Sequence, residues 1–595
     1  MTRVHNDPAD FVDQQLEGFA SLYADRLRAV PGGVVSHRGP DPVVAVVAGG
    51  GSGHYPAFAG LVGPGFAAGA VVGNIFTSPS AAQVYSVAKA ADQGRGVILT
   101  FGNYAGDVMN FGIAAERLRR EGIDARIVLV TDDVASSAVE EERRGIAGDF
   151  VVFKALGAAA ATGAHIDAVE QAGRAANAAT RTFGVAFSGC TMPGAEEPLF
   201  TVPPGTMGVG LGIHGEPGIR DAPIAPASEL AAMMVDGVLA ARPRTESTRV
   251  AVIVNGLGTT KQEELFLLWG EVRRLLEARG LTPVQPEVGE LVTSLDMGGC
   301  SLTLTWLDGD LERWWGADAY TPAYRKQASP LAALRPVEIG AAPDSAAQAP
   351  QPSMAGARLS AHIASGLSRM LEVLRRNEDE LGRIDAVAGD GDHGRGMVKG
   401  AGAAVQAANS LTGVGPAWTL RAAGRAWAAE AGGTSGVLWG AGLEAAGESL
   451  GDARETYNGQ DVAEAVGAFV QAVQELGRAE VGDKTLIDAA VPFHRSLHDS
   501  VRSGMSLPAA WSAAGRAARF AADATEDLLP RKGRARPLAE KSLGTPDAGA
   551  QSFALLVEAL AEDMAQHEHT LEAKELPAPV PGGDATDAGT SPAHR

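Results

Sequence analysis

Short apolar runs recur through the first half of the chain, each ending in small or polar residues. Residues 43–48 (VVAVVA) run into Gly49-Gly50-Gly51, residues 97–101 (VILTF) into Gly102-Asn103-Tyr104, and residues 127–131 (IVLVT) into Asp132-Asp133. Ala-rich stretches such as residues 80–91 lie between them. Compact apolar runs bounded by turn residues predict strands, and the intervening stretches predict helices. Strand, polar turn and helix in repetition is the α/β signature, in which ligands gather at the carboxyl ends of the strands. Residues 184–187 and 250–254 predict strands of a second α/β stretch, with a third at 302–306.

The pattern then changes. Residues 339–356 are rich in Ala, Pro, Ser and Gln and hold almost no bulky apolar side chain, which predicts an extended tether. Beyond it Leu359, Ile363, Leu367, Met370, Leu371 and Leu374 recur at three- and four-residue steps, the mark of an amphipathic helix. Ala-rich segments at 418–431, 462–476 and 507–522 continue the helical period. The expected domains are an α/β subdomain at 1–190 and a second at 191–337. A linker at 338–356 and an all-helical domain at 357–570 follow, then a disordered tail at 571–595. There is no repeat of fixed period.

Composition narrows the function. With 595 residues, three or four domains are expected at about 100–200 residues each. The net charge is −21, from 50 Lys+Arg and 71 Asp+Glu, which argues against a broad nucleic-acid surface. Phosphate ligands remain possible, because a metal ion or backbone amides can hold them locally. Two cysteines, Cys190 and Cys300, make no disulfide framework and fit a reducing cytoplasm. The first residues lack the apolar core of a secretion signal, and no run of 18 apolar residues predicts a membrane span.

Candidate chemistry lies at the predicted strand ends and turns. Gly51, Ser52, Gly53 and His54 follow the first strand, where glycines let a ligand approach the backbone. Asp107 follows the second strand and is either a helix cap or a general base. His214 sits among glycines in GLGIHGEPG, within reach of a small molecule or simply in a turn. In the helical half, Asp385, Asp390 and Asp392 place three carboxylates in eight residues around a glycine-bent loop, which suits a hard cation. An EF-hand is excluded, because Gly396 stands where its closing Glu belongs. Gly432-Gly433-Thr434-Ser435-Gly436, Gly482-Asp483-Lys484-Thr485 and Gly544-Thr545-Pro546-Asp547-Ala548-Gly549 are further polar turns.

In this order the motifs resemble the dihydroxyacetone kinase family. GGGSGH at 49–54, NYAGD at 103–107, GIHGEPG at 212–218 and TSLDMGGCSLTL at 293–304 carry the resemblance to its substrate-binding part over about residues 10–335. The resemblance implies that His214 attacks the substrate ketone and holds it as a covalent hemiaminal. His54 and Asp107 would polarise the substrate and take the proton of the hydroxyl to be phosphorylated, and Gly51, Ser52 and Gly53 would line it. Trapping a carbonyl selects ketones over polyols such as glycerol. The second half is similar to the family's nucleotide-binding domain over about 357–565. That implies an eight-helix barrel with ATP at one end and two Mg²⁺ ions clasped by Asp385, Asp390 and Asp392. His393, Gly394, Arg395, Gly396, Thr434, Ser435, Gly482, Arg534, Asp547, Ala548 and Gly549 match nucleotide-contacting positions. A homodimer is implied as well.

The chain departs from the family pattern around the ketone. Tyr55 and Phe58 replace an acid and a histidine, Gly102 replaces a lysine, Gly208 replaces a glutamate, and Arg536-Pro537 interrupts the motif after Gly533-Arg534-Ala535. Loss of the lysine is expected to free space. The Tyr55/Phe58 pattern resembles the family's erythrulose kinases, which makes D- or L-erythrulose the expected substrate beside dihydroxyacetone. The resemblance leaves two alternatives, an FAD-splitting lyase that forms cyclic FMN and a non-catalytic ketose-binding regulator.

Overall fold

The computed structural model describes residues 2–327, 349–532 and 540–572. The chain divides into two compact units, Met1–Glu338 and Ile339–Arg595.

The first unit holds two sheets. One has six strands: β1 (Leu27–Val30), β2 (Gly33–Ser36), β3 (Ala45–Ser52), β4 (Gly69–Ile75), β5 (Val97–Gly102) and β6 (Ala125–Val130), in the order β1-β2-β4-β3-β5-β6. The pairs β3/β4, β3/β5 and β5/β6 are parallel, with Val47 opposite Leu99 and Leu99 opposite Ile127. Both faces are covered, which is why these strands are continuous apolar runs. Val47, Leu99 and Phe101 pack on Val84, Val87, Phe111 and Leu118 of helices Ala81–Ala91 and Ala105–Arg120. Val46 and Ile98 pack on Phe150 and Phe153 of helix Gly148–Ala161.

One expectation is corrected here. Gly49-Gly50-Gly51 do not follow β3 but lie inside it, and the strand runs on to Ser52. The register shifts between Gly51 and Ser52. A Cβ on Gly51 would stand 2.6 Å from the Thr77 nitrogen, so only glycine lets the neighbouring backbone approach this closely.

The second sheet contains β7 (Thr180–Ala186), β8 (Thr206–Val209), β9 (Arg220–Pro223), β10 (Arg249–Gly256), β11 (Thr282–Pro283), β12 (Glu287–Gly289) and β13 (Gly299–Trp306). Its path is β11-β10-β13-β7-β8-β9, with β12 beside β10. The pairs from β10 through β13, β7 and β8 to β9 are antiparallel, so the second stretch is mixed, unlike the parallel core of the first sheet. Helices Ala227–Ala240 and Gln262–Ala278 cover it with Met234, Val235, Leu268 and Val272.

The second unit is helical. Eight helices of 16 to 25 residues are described: Met354–Arg376, His393–Asn409, Pro416–Ala431, Gly433–Leu450, Gly459–Gly477, Leu486–Arg502, Leu507–Asp523 and Ala548–Glu572. Each packs on the next, and the last packs on the first, closing a ring around Leu374, Met397, Trp427, Ile487 and Phe493. A ninth, short helix, Glu378–Ala386, leads into the aspartate loop. The first helix begins at Met354, earlier than the apolar period indicates, because the Ser353 side chain accepts the Gly356 amide at 2.8 Å as its cap. The last helix runs to Glu572. Of the expected linker, residues 338–348 lie outside the described residues, as do residues 573–595 of the expected tail. Among the described residues no helix is long and apolar enough to cross a membrane.

Candidate active site

The carboxyl ends of β3 and β5 open onto a cavity of about 420 Å³. Gly51, His54, Tyr104, Asp107, Asp149 and His214 are among its lining residues. His54 follows β3, and Asp107 sits in the first turn of the helix after β5. His214 comes from the loop between β8 and β9. That loop is tied down by Gly212 N–H to the Glu216 carbonyl at 3.0 Å and by the Ser294 hydroxyl, which donates to the Ile213 carbonyl.

Hydrogen bonding fixes most of the protons. His54 Nδ1 lies 2.7 Å from the Thr293 carbonyl, which can only accept, so Nδ1 carries the hydrogen. His214 Nδ1 lies 3.0 Å from Glu216 Oε1, and its backbone N–H donates to Oε2 at 3.0 Å. Burial alone would raise Glu216, but the bond from His214 and the charges of His214 and Arg144 outweigh it and hold the carboxylate at about 2. His214 Nδ1 therefore also carries a hydrogen. The two Nε2 atoms face each other at 3.0 Å. Burial, then the neighbouring His214, pushes His54 down to about 3, so near neutral pH the ring is neutral with its hydrogen on Nδ1. A ring nitrogen that presents a lone pair is what addition to a carbonyl requires. The nitrogen attacks carbon and a proton from solvent goes to oxygen.

Asp107 completes the group. Burial raises it to about 6, against the opposing effects of a Ser78 hydrogen bond and the His214 charge. One of its oxygens, Oδ1, has no hydrogen-bond partner among the described residues.

The second unit has its own cavity, of about 340 Å³. Asp385, Asp390 and Asp392 line it, each offering an oxygen within 4.8 Å of the others. Asp385 Oδ2 accepts the Gly391 amide at 2.8 Å, which fixes the loop. Three hard oxygen donors converging in this way fit a divalent cation such as Mg²⁺. Facing them, Gly432 and Gly433 take left-handed φ of 63° and 56° and open helix Gly433–Leu450, whose first turn carries Thr434 and Ser435. An N-terminal turn with free amides suits phosphate. His393 reaches Ser552 Oγ at 3.0 Å through Nε2. Leu438, Val473 and Ile487 supply apolar lining.

Comparison with known proteins places this geometry. A Dak1 domain matches residues 17–323 and a DAK2 domain matches residues 387–562. The chain is 56% identical to the D-erythrulose kinase of Mycolicibacterium smegmatis, over 94% of this chain and 98% of that one. It is 51% identical to the L-erythrulose kinase of Pectobacterium atrosepticum, over 94% and 96%.

The chain belongs to the dihydroxyacetone kinase family.

The dihydroxyacetone kinase of C. freundii in complex with AMP-PNP and Mg²⁺ covers 94% of this chain and 99% of its own, at 31% identity and a TM-score of 0.58. Within this family frame the residues singled out from sequence divide into two groups. His54, Asp107, His214 and Gly51 meet in the first cavity. Asp385, Asp390, Asp392, His393, Gly396, Thr434, Ser435, Asp547, Ala548 and Gly549 meet in the second. Ser52 and Gly53 do not line the first cavity, because the Ser52 hydroxyl turns away to the Gly73 carbonyl. Gly394 packs where a Cβ would lie 2.0 Å from the Glu378 carbonyl, Arg395 is exposed, and the Gly482 amide donates to Asp488 at 2.6 Å. None of these three lines the second cavity. Arg534 lies outside the described residues.

The structure adds Glu216, Tyr104 and Asp149 to the first site, and Lys484 to the lining of the second. The Lys484 ammonium is bound to the carbonyls of Leu528 and Ser542. Gly102, where the family has a lysine, lines the first cavity, and a Cβ there would meet the Gly145 carbonyl at 3.0 Å and the Tyr104 ring at 3.1 Å.

Proposed function

We propose that this chain is an ATP-dependent kinase for a short-chain ketose, erythrulose before dihydroxyacetone, held as a hemiaminal on His214. The observation that carries the reading is the His54–His214 contact at 3.0 Å backed by Glu216, in a cavity that also holds Asp107. The His214 Nε2 lone pair adds to the ketone carbon, and the carbonyl oxygen takes up one proton from solvent. The ring is left as a substituted imidazolium facing the Glu216 carboxylate. Asp107 then takes the proton of the attacking hydroxyl as that oxygen displaces ADP from the terminal phosphate.

Asp385, Asp390 and Asp392 would hold Mg²⁺, which when bound neutralises charge on the phosphates. The glycine-opened turn at Thr434 and Ser435 would take phosphate oxygens. A homodimer, as the resemblance implies, and a reducing cytoplasm, consistent with the free, buried Cys190 and Cys300, belong to the same reading.

Two results test this. With purified chain and Mg-ATP alone, kcat/KM is expected to be highest for one erythrulose enantiomer, lower for dihydroxyacetone and undetectable for glycerol. Preference for dihydroxyacetone would remove erythrulose from the reading, and phosphorylated glycerol would remove carbonyl capture. The second result is a pH profile. Asp107 must be ionised to act as a base, and burial raises it to about 6. Activity is therefore expected to fall as pH drops through about 6, and the residual activity of Asp107→Asn is expected to lack that limb. An unchanged limb in the variant would assign it to another group.

A further inference from the structure

Asp149 stands in the first turn of helix Gly148–Ala161, where an acidic residue ordinarily serves the free amides. Here that work is done by another residue. Asp132 Oδ1 accepts the Ile146 amide at 2.9 Å and Oδ2 accepts the Gly148 amide at 2.7 Å. Asp149 is 4% exposed, and its Oδ1 has no hydrogen-bond partner among the described residues. It lines the same cavity as His214 and Asp107. The backbone around it is pared back to make room, since a Cβ on Gly145 would lie 3.1 Å from Asp149 Oδ1 and 2.5 Å from the Gly102 Cα.

A buried polar group left unsatisfied is destabilising, and one that lines a cavity can be completed by what the cavity binds. Burial, with Asp132 and Asp107 nearby, holds the Asp149 carboxyl well above its ordinary range. A protonated carboxyl both donates and accepts, which matches a hydroxyl group. Tyr104, whose buried hydroxyl is also without a partner among the described residues, lines the same cavity.

We propose that Asp149 is a specificity-determining residue, whose carboxyl receives the additional secondary hydroxyl that separates a four-carbon ketose from dihydroxyacetone. This rests on the ketose-kinase reading above. His214 fixes the carbonyl carbon and Asp107 serves the hydroxyl that is phosphorylated, so a fourth carbon needs a polar partner that neither of them provides.

The test is kcat/KM for the preferred erythrulose enantiomer and for dihydroxyacetone, in the wild-type chain, Asp149→Ala and Asp149→Asn. The erythrulose-to-dihydroxyacetone ratio is expected to fall by about tenfold to a hundredfold in Asp149→Ala. Asp149→Asn, which keeps a donor and an acceptor, is expected to recover most of the loss. The melting temperature of Asp149→Ala is expected not to fall, because an unsatisfied group has been removed. An unchanged ratio in both variants, with the two substrates declining together, would overturn the proposal and make Asp149 structural. A wild-type chain that does not phosphorylate erythrulose would remove the substrate reading itself. An unchanged ratio against a wild type that prefers erythrulose removes this inference alone.

Discussion

Alanine in place of His214 is expected to cut ketose phosphorylation by at least about 10³-fold, because the covalent anchor and not merely a contact is lost. The fold should survive the change. His214 lies in a loop at the cavity, and the loop's own bonds, from Gly212 to Glu216 and from Ser294 to Ile213, do not use its ring. Steady-state kinetics with saturating Mg-ATP would show the loss, and nucleotide binding to the helical unit should be retained. His54 would lose the neighbour that helps to depress it, so a modest recovery of its basicity should follow. Near-wild-type turnover would mean that the ketose is held by hydrogen bonds alone.

The second large effect is expected on the other unit. Asp390→Ala should lower kcat by about 10²-fold or more, since the cluster loses one of the three oxygens that converge on the cation site. Asp390 is exposed, so the change leaves the helical core intact. The ketose adduct on His214 should still form, because it needs no nucleotide. Activity at high Mg²⁺ would recover only in part if the remaining pair, Asp385 and Asp392, binds the cation more weakly. Measuring kcat against Mg²⁺ concentration in both proteins checks this, and identical curves would take Asp390 out of the metal site. Together the two variants separate capture from transfer, since Asp390→Ala lowers transfer and spares capture, whereas His214→Ala removes capture and leaves nucleotide binding.

Much of this was legible before any coordinates. The apolar runs at 43–48, 97–101 and 127–131 are visible because parallel strands buried on both faces need no alternation. The helical unit declared itself through Leu359, Ile363, Leu367 and Leu374, a stripe that packs into the core of the ring. The antiparallel pairing of the second sheet was not visible. β10 finds β13 some fifty residues later, and nothing local in either strand encodes the direction of its partner. The glycines at 49–51 were placed after the strand because glycine ordinarily ends one. Here the close approach of β4 and Phe58 keeps them within it.

At the site, motif order located the residues but not their electrostatics. Glu216 stands two positions from His214 in sequence, yet its effect depends on the loop folding back so that one carboxylate meets both the ring and the backbone nitrogen. Asp149 is indistinguishable in sequence from any acid at the start of a helix. Only the capture of that helix's amides by Asp132 shows that it is free for another use. Ser52 illustrates the opposite error, a polar side chain in the right motif that turns to the Gly73 carbonyl.

The central claim is that the ketone carbon becomes tetrahedral on His214. The most direct measurement is the carbon-13 spectrum of erythrulose labelled at its carbonyl carbon, mixed with stoichiometric protein and no nucleotide. The wild-type chain should move that resonance from the ketone region to the region of a tetrahedral carbon bearing nitrogen and oxygen, and His214→Ala should leave it where it began. A ketone resonance that stays in place with the wild-type chain, or shifts equally with the variant, would contradict the account.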